Sequence, residues 1–390
     1  MNENSLIKDI GRSYIISSFL PAAFFTTIAA VIFRGFLPQY IQNSFLFSNT
    51  HVIEQFFLLS LVSTWLGFFL YSSWFWIVRL YEGYLFIKPV QDMFIWFQSK
   101  IYDLKFEKYK QFRKLLTKED ISDKEIIDLN RLRAAVEEEL PALQISYPQK
   151  SEHLLPTRLG NVMRAFEEYA ITRYGVDGIT AWPRLYQLIP QDMKAQLEER
   201  NNQLMFLLNS SFLSLLIGTA CLGLNFIRFP CWIYLQVYSR PSGFAQSAYC
   251  QFTYGDALQP ANFFQKGFQF IQPGEFLLIG IAFLLIAYII YSISITTAEN
   301  MGMVVRAGFD LYRLDLLKLL NGKIPSSLKE ERFVWDKICE NLMVGSSLGT
   351  DPYDYEYVFH GEMAKEPEKE ETSSRLIIQR TRAKPARKRQ

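Results

Sequence analysis

The hydrophobic residues of this 390-residue chain are concentrated in four long runs. No run carries an Asp, Glu, Lys, Arg or His in its interior, and each is about 20 residues long, enough for a helix to cross a hydrocarbon core of about 30 Å. A soluble protein would have to bury four such helices completely. The pattern therefore predicts an all-α integral membrane protein with four transmembrane helices, at residues 14–33, 56–78, 206–226 and 276–298.

Lysine and arginine vary in density between the segments that flank these spans. Lys8 and Arg12 precede span one, and residues 79–203 contain 19 Lys or Arg together with 19 Asp or Glu. The loop between spans three and four, residues 227–275, contains three cations. Because segments on the cytoplasmic side are enriched in Lys and Arg, this distribution predicts that both termini and the middle domain are cytoplasmic. Two termini on one side require an even number of spans, which agrees with four.

Five segments follow from this pattern. The first holds the N-terminal cytoplasmic residues with spans one and two, and the second is a helical cytoplasmic domain. Spans three and four with their extracytoplasmic loop come next, followed by C-terminal cytoplasmic helices and a disordered charged tail. Their predicted bounds are 1–84, 85–203, 204–298, 299–344 and 345–390.

The cytoplasmic segments show helical periodicity and no alternating strand pattern. Capping boxes open a helix at Ser122, which Pro141 is expected to stop, and a last helix at Ser327. A helix from Thr157 is expected to end at Gly175. Polar helices are also expected to run without a break from Pro190 into span three and onward from span four.

One predicted helix, beginning near Pro89, has a continuous apolar stripe. It lies either in the membrane interface or against the cytoplasmic domain, and the mixed charge of its polar face favours packing on the domain. The stripe consists of Val90, Met93, Phe94, Phe97, Ile101 and Leu104.

The densest polar cluster follows Thr157 and supplies the candidate ligand- or partner-binding residues. One interpretation is a basic pocket for an anionic ligand or a partner surface near the membrane. The other is a polar helix face with a salt-bridge network, in which Arg164 and Glu168 pair across one helical turn. The candidates are Arg158, Asn161, Arg164, Glu168, Arg173, Asp177 and Arg184.

Small and hydroxyl-bearing residues mark the membrane helices. Ser210, Ser214 and Gly218 recur at intervals of four in span three and predict close packing of two helices, within one chain or between subunits. Pro21 predicts a kink in span one, which is tolerated when a neighbouring helix satisfies the freed carbonyl. Cys231 and Cys250 share the extracytoplasmic loop and are a candidate disulfide, with two free thiols as the alternative.

The sequence gives little reason to expect a nucleic-acid partner, a metal site or a catalytic site. The net charge of +2 gives no reason to expect a nucleic-acid partner. The tail ends in six cations within eleven residues, and these either contact anionic lipid, at about 1 kcal/mol each near the surface, or stay solvated. The three histidines are far apart, and no nucleophile elbow, phosphate loop or zinc-protease helix occurs. We therefore expect no metal and no cofactor, and consider catalysis improbable.

Three sequence blocks carry a family resemblance. Residues 156–161 (PTRLGN), 174–185 (YGVD and WPRL) and 309–313 with 331–335 (FDLYR and ERFVW) resemble a group of uncharacterised bacterial four-span membrane proteins. The resemblance implies a bacterial inner-membrane setting and no mechanism. The function we expect is a non-catalytic membrane protein whose cytoplasmic helical domain mediates assembly or signalling. The alternative is an oligomeric channel or pore-forming effector gated by that domain.

Overall fold

The computed structural model describes residues 11–33, 52–117, 123–237 and 273–344, and all regular structure within these ranges is helical. The described residues form two compact units, here called the first and second unit. The first contains the described residues up to Tyr169 together with those from Pro190 to Ala307, and the second contains Ala170–Ile189 together with the described residues from Gly308 onward. The helices are α1 (Gly11–Phe33), α2 (Val52–Ser72), α3 (Trp74–Glu82), α4 (Lys88–Leu116), α5 (Asp123–Ser146), α6 (Arg158–Glu167), α7 (Tyr169–Tyr174), α8 (Gly178–Leu188), α9 (Gln191–Val237), α10 (Pro273–Leu319) and α11 (Leu328–Val344).

Four of these helices, α1, α2, α9 and α10, are long and apolar enough to cross a membrane. The predicted fold class, all-α with four transmembrane helices, is therefore confirmed. The apolar window of α9 is 61% buried, against 17–28% for the other three spans. Span three is thus the central helix, and the other three expose most of their apolar surface.

Helix α1 contains a π-helical turn, Ile15–Phe19, directly before Pro21. Proline has no N–H to donate to the carbonyl four residues earlier, which is that of Ser17. The amide of Asn209 on α9 donates to this carbonyl at 2.9 Å and to the Ser18 hydroxyl at 3.1 Å. A neighbouring helix therefore supplies a hydrogen bond at the proline site, as the sequence led us to expect.

Helices α4 and α5 pack side by side at an aromatic cluster of Tyr102, Phe106 and Tyr147, against which Leu154 also packs. The expectation that Pro141 stops α5 is wrong, because the helix continues to Ser146. An internal proline costs roughly 3 kcal/mol. Leu140 and Leu143, on either side of it, pack against the aromatic cluster, and this burial offsets the cost.

The apolar stripe predicted on α4 does not pack against the domain. Met93, Phe94, Phe97, Ile101 and Leu104 are all exposed. The buried side chains of α4 are instead Gln98, Tyr102 and Phe106, on the face toward α5. Helix α4 does pack on the domain, as favoured, but through the face that carries Tyr102 and Phe106 and not through the predicted apolar stripe.

The segment predicted as an extracytoplasmic loop, residues 227–275, begins within a helix. The candidate span in α9 ends at Phe226, as predicted, and the helix itself continues to Val237. Cys231 of the predicted loop lies in this helix, its side chain is outside the described part, and Cys250 lies outside the described residues altogether. The tail from residue 345 also lies outside them. The two free cysteines that the structure describes, Cys221 and Cys339, are both buried.

The second unit contains α7, α8, α11 and the last turns of α10. Gly175 follows α7 with φ +77°, a left-handed conformation that glycine adopts without strain, which confirms the predicted stop. Ser327 caps α11 by accepting from the Glu330 N–H at 3.3 Å, again as predicted. Helix α8 was not predicted, since Pro183 lies within it. The fully buried Trp335 and Phe309 belong to this unit.

Candidate functional site

The segment 156–161 joins α6 to the ends of spans two and four. Thr157 is the N-cap of α6, accepting from the Gly160 N–H at 3.0 Å, and its hydroxyl donates to the Tyr81 carbonyl at 2.6 Å. The Leu159 N–H donates to the Tyr291 hydroxyl at 3.3 Å. A Cβ on Gly160 would lie 2.6 Å from the Glu82 carbonyl oxygen, so only glycine permits this approach. The parts of the chain in contact with α6, which are α3 directly after span two and the portion of α10 around Tyr291, are called the domain-side ends below.

Two stacked tyrosines connect these domain-side ends. The rings of Tyr81 and Tyr291 lie 5.7 Å apart with an interplanar angle of 20°. Tyr81 donates to the Ser211 hydroxyl at 2.8 Å, and Ser211 donates to the Ala287 carbonyl at 2.9 Å. Burial raises the pKa of Tyr81 to about 12, so this phenol stays protonated and keeps its donor. Spans two, three and four are therefore tied together directly beneath α6.

Asn161, a candidate binding residue, is completely buried and fixes the turn before α6. Its side-chain oxygen accepts from the Leu155 N–H at 2.7 Å, and its amide donates to the Leu155 carbonyl at 3.1 Å and to Gln98 at 3.4 Å. Both amide protons and one acceptor site are thus engaged. The geometry assigns Asn161 a role in positioning α6.

A group of ionisable side chains lies on α6 and beside it. Arg164 Nε is 2.8 Å from Glu168 Oε1, which confirms the predicted pairing across one turn. His153 Nδ1 lies 2.6 Å from the same Glu168 oxygen. Arg164 also lies 3.8 Å from Glu167. Ion pairs at this spacing stabilise a helix modestly, by about 0.3–0.5 kcal/mol when exposed.

Glu82, at the end of α3, is the most unusual member of this group because its side chain is buried. Its pKa is raised to about 7, first by burial and then by the nearby Glu167, against the opposing effect of Arg79 and Arg164. The pKa of Glu167 is raised by the same cause, burial. A carboxyl group with this pKa changes charge near neutral pH, and such groups are frequent at functional sites. We call Arg79, Glu82, Arg164, Glu167 and Glu168 the charged cluster.

Sequence reasoning did not assign a role to Glu82 or to Tyr291. The guanidinium of Arg79 lies 4.5 Å from the Tyr84 ring centroid. Glu82, three residues after Arg79, is the one acidic residue within the aromatic segment 74–86. This single acidic position was the signal that the sequence offered. The burial of Glu82 itself results from the approach of α6, which no local pattern predicts.

Arg158 is the remaining candidate of the first unit, and its side chain is exposed. Its positive charge lowers the pKa of Lys105, after the larger effect of burial, while Glu299 opposes the shift. Glu299 also accepts a hydrogen bond from Ser146 at 2.5 Å. Arg158, Lys105 and Glu299 therefore form a second polar group near the beginning of α6.

The candidates Arg173, Asp177 and Arg184 all lie in the second unit, and the side chains of Asp177 and Arg184 bond to neighbouring backbone. Asp177 caps α8 by accepting from the Thr180 N–H at 3.0 Å and from its hydroxyl. Arg184 donates to the Thr180 carbonyl at 2.7 Å. The backbone carbonyl of Arg173 accepts from Arg332 at 3.1 Å. These contacts hold α7, α8 and α11 in place.

The second unit brings together the sequence blocks at 174–185, 309–313 and 331–335. Tyr174 donates to Asp310 at 2.6 Å, and the Arg313 guanidinium lies 3.7 Å from the Tyr174 ring centroid. Arg313 also pairs with the buried Glu331 at 2.7 Å. The Trp182 ring lies 5.6 Å from that of Phe309. The three blocks are therefore the packing contacts of one small helical unit.

The small-residue stripe of span three makes its contact within the chain. Ser210 and Ser214 are buried, and the Ser214 hydroxyl donates to the Ser210 carbonyl at 2.8 Å. A Cβ on Gly218 would lie 3.0 Å from Leu284 and 3.2 Å from the Gly280 carbonyl oxygen. Spans three and four thus approach closely where two glycines face each other.

A cavity of about 300 Å³ lies between α4 and α5. Aromatic rings form its wall, and the cations at its lining are Lys110 and Arg113. Lys110 is already paired with Asp103 at 2.6 Å. Within the described ranges, His, Cys, Asp and Glu do not form groups of three that could hold a metal ion.

Comparisons with known proteins found no relative of this chain. No family model matches the chain, and the curated proteins and the solved structures give no significant match.

Proposed function

We propose that this multi-pass protein belongs to the inner membrane of a bacterium, with both termini in the cytoplasm, and acts without catalysis in assembly or signalling. One observation carries the proposal: α6 is bonded directly to the domain-side ends of spans two and four, through Thr157 to Tyr81 and through Leu159 to Tyr291. A partner that moves α6 would therefore move the spans.

The roles of the candidate polar residues support a non-catalytic interpretation. Asn161, Asp177 and Arg184 bond to nearby backbone, and Arg164 pairs with Glu168 on its own helix. Side chains used in this way stabilise local structure and leave few groups for acid–base or nucleophilic chemistry. The exposed apolar side chains of the second unit, such as Ile179 and Phe333, offer surface for a protein partner instead.

Site-specific photo-crosslinking in intact cells tests this function. A photoreactive amino acid at Ile179, which is 72% exposed, should capture a discrete partner. The same group in place of Glu137, an exposed residue of α5, serves as the control and should not capture that partner. Identical labelling at both positions would contradict the proposal.

The proposed orientation has its own test. A cysteine introduced at Glu138, in a background without the four natural cysteines, should react with a membrane-impermeant maleimide only after cells are permeabilised. Reaction in intact cells would place the helical domain outside and overturn the orientation.

An oligomeric channel is the second candidate, favoured by the low burial of the spans. Only 17% of the apolar windows of α2 and α10 is buried in one chain, which leaves helix faces for lipid or for further copies. The hydroxyls of Ser63 and Thr64 donate to carbonyls of their own helix at 2.7 and 2.8 Å, so their hydrogen bonds are made without water in a pore. A defined oligomer in nanodiscs together with ion flux in liposomes would select the channel, and a monomer without flux would exclude it.

A further inference from the structure

Helix α4 presents an apolar face that no described part of the chain covers. Phe97 is 50% exposed and Leu104 is 78% exposed, and the neighbouring members of the stripe are exposed as well. This face lies on the side of the helix away from Gln98, Tyr102 and Phe106, which are buried toward α5. A helix with one face packed on protein and a separate apolar face exposed needs a second environment for that face.

The position of α4 places this face at the level of the domain-side span ends. The helix begins at Lys88, shortly after α3 ends at Glu82. About three turns later, Gln98 accepts from Asn161 at 3.4 Å. Asn161 lies on α6, whose Leu159 and Val162 belong to the same buried cluster as the spans. The first half of α4 thus stays beside the span ends.

Exposed apolar side chains lead from span two to this face. Phe75 and Trp76 on α3 are 58% and 60% exposed, and Leu85 and Ile87 in the following connection are also exposed. In that connection, the ring of Phe86 lies 5.8 Å from that of Phe94. The lipid-facing surface of span two therefore continues along the chain into the apolar face of α4.

The charges of α4 complement an anionic lipid surface. Between Lys88 and Lys114 the helix carries seven Lys or Arg and three Asp or Glu, which is an excess of four positive charges. The ammonium group of Lys100 lies 5.9 Å from the Trp96 ring centroid, so a cation and an exposed indole are adjacent. Cations and Trp in this combination are typical of helices at the membrane interface.

We propose that α4 lies in the interface of the bilayer leaflet at the domain-side span ends, with Met93, Phe94, Phe97, Ile101 and Leu104 at the boundary between headgroups and acyl chains. Helices of this kind place their apolar face roughly 5–10 Å into that boundary. The opposite face of α4 remains packed on α5. The first unit would then rest on the membrane through α4 as well as through its spans.

Spin-label accessibility in the full-length protein, reconstituted in nanodiscs with anionic lipid, tests this placement. A nitroxide is attached at F97C on the apolar face or at D92C, an exposed polar position on the same helix, with the natural cysteines replaced. Collisions with dissolved oxygen report lipid, and collisions with a soluble nickel chelate report water. At residue 97 we expect the ratio of oxygen to nickel accessibility to be severalfold higher than at residue 92.

Each other outcome would overturn the proposal. A nickel-dominated signal at residue 97 would mean that the face is solvated. Low accessibility to both reagents would mean that protein, such as a second copy, covers the face. A pair of labels at L104C and E107C, where residue 104 is on the apolar face and residue 107 is exposed beside it, repeats the comparison about two turns further along α4.

Discussion

The amide of Asn209 on α9 donates a hydrogen bond of 2.9 Å to the Ser17 carbonyl, four residues before Pro21 on α1. This relationship lets span one contain a proline without leaving a backbone carbonyl unsatisfied in a hydrophobic environment. It also ties span one to the central helix of the first unit. The completely buried side chain of Asn209 thus has a structural role.

Asn209→Leu should destabilise the protein by removing this bond and the one to the Ser18 hydroxyl. We expect the free energy of unfolding in mixed micelles to fall by about 1 kcal/mol, since hydrogen bonds between membrane helices average about 0.6 and reach about 1.7 kcal/mol. Thr27→Val is the control, because the Thr27 hydroxyl is exposed and bonds only to Ala23 of its own helix at 2.8 Å. Equal effects of the two changes would argue against the interhelical role.

Gly218→Val should separate spans three and four. The new Cβ would lie 3.0 Å from Leu284 and 3.2 Å from the Gly280 backbone oxygen, and overpacking of this kind costs about 1–3 kcal/mol. Gly223→Val is the matched control, since nothing lies within 4 Å of a Cβ at that position. Thermal unfolding followed by loss of monodisperse protein in detergent measures both. A normal midpoint for Gly218→Val would refute the close contact.

The raised pKa of Glu82 predicts a pH dependence of stability. In the unfolded chain this carboxyl titrates near its ordinary value of 4.5, and in the folded protein near 7, so the folded state binds more protons between these values. Stability from this group is therefore full below about pH 4.5 and is lost as the pH rises through 7. For the shift from 4.5 to about 7, the loss amounts to roughly 3 kcal/mol.

Glu82→Gln should abolish this slope and raise the stability at pH 8, because glutamine stays neutral. Unfolding in detergent between pH 5 and pH 8 measures the difference from the unmodified protein. Glu137→Gln, at a position that is 65% exposed, should leave the slope unchanged. A persistent slope in the Glu82 variant would assign the titration to another group, Glu167 first.

Trp335→Ala should loosen the second unit, because this side chain is completely buried there. Truncating a buried tryptophan costs about 3–5 kcal/mol. Phe333→Ala, two residues earlier on the same helix and 61% exposed, should have little effect. Hydrogen exchange of the backbone amides of α8 and α11 reports on this unit directly. Unchanged protection in the Trp335 variant would contradict its assignment to the core.

Local signals in the sequence identified many features correctly. Uncharged apolar runs of bilayer length predicted the spans, and the Thr157 and Ser327 caps and Gly175 predicted helix ends. The pairing of Arg164 with Glu168 followed from helical spacing alone. These features depend on residues a few positions apart, so chain geometry is enough to place them.

Features that depend on distant residues were missed or misjudged. Pro141 was expected to end a helix, because the aromatic cluster that holds Leu140 and Leu143 comes from elsewhere in the chain. The apolar stripe of α4 was expected to be covered by protein, because periodicity reveals an apolar face without revealing what lies against it. Glu82 drew no attention, because its burial depends on α6, which begins more than 70 residues later.

For this protein, the order of apolar and polar residues alone determined that the chain is helical and crosses a membrane four times, since length and hydropathy are properties of each segment by itself. Only the tertiary structure decided which helix is central, which carbonyl Asn209 satisfies and which carboxyl group is buried. Those outcomes depend on contacts between segments as far apart as Ser17 and Asn209, and no local pattern encodes such a contact.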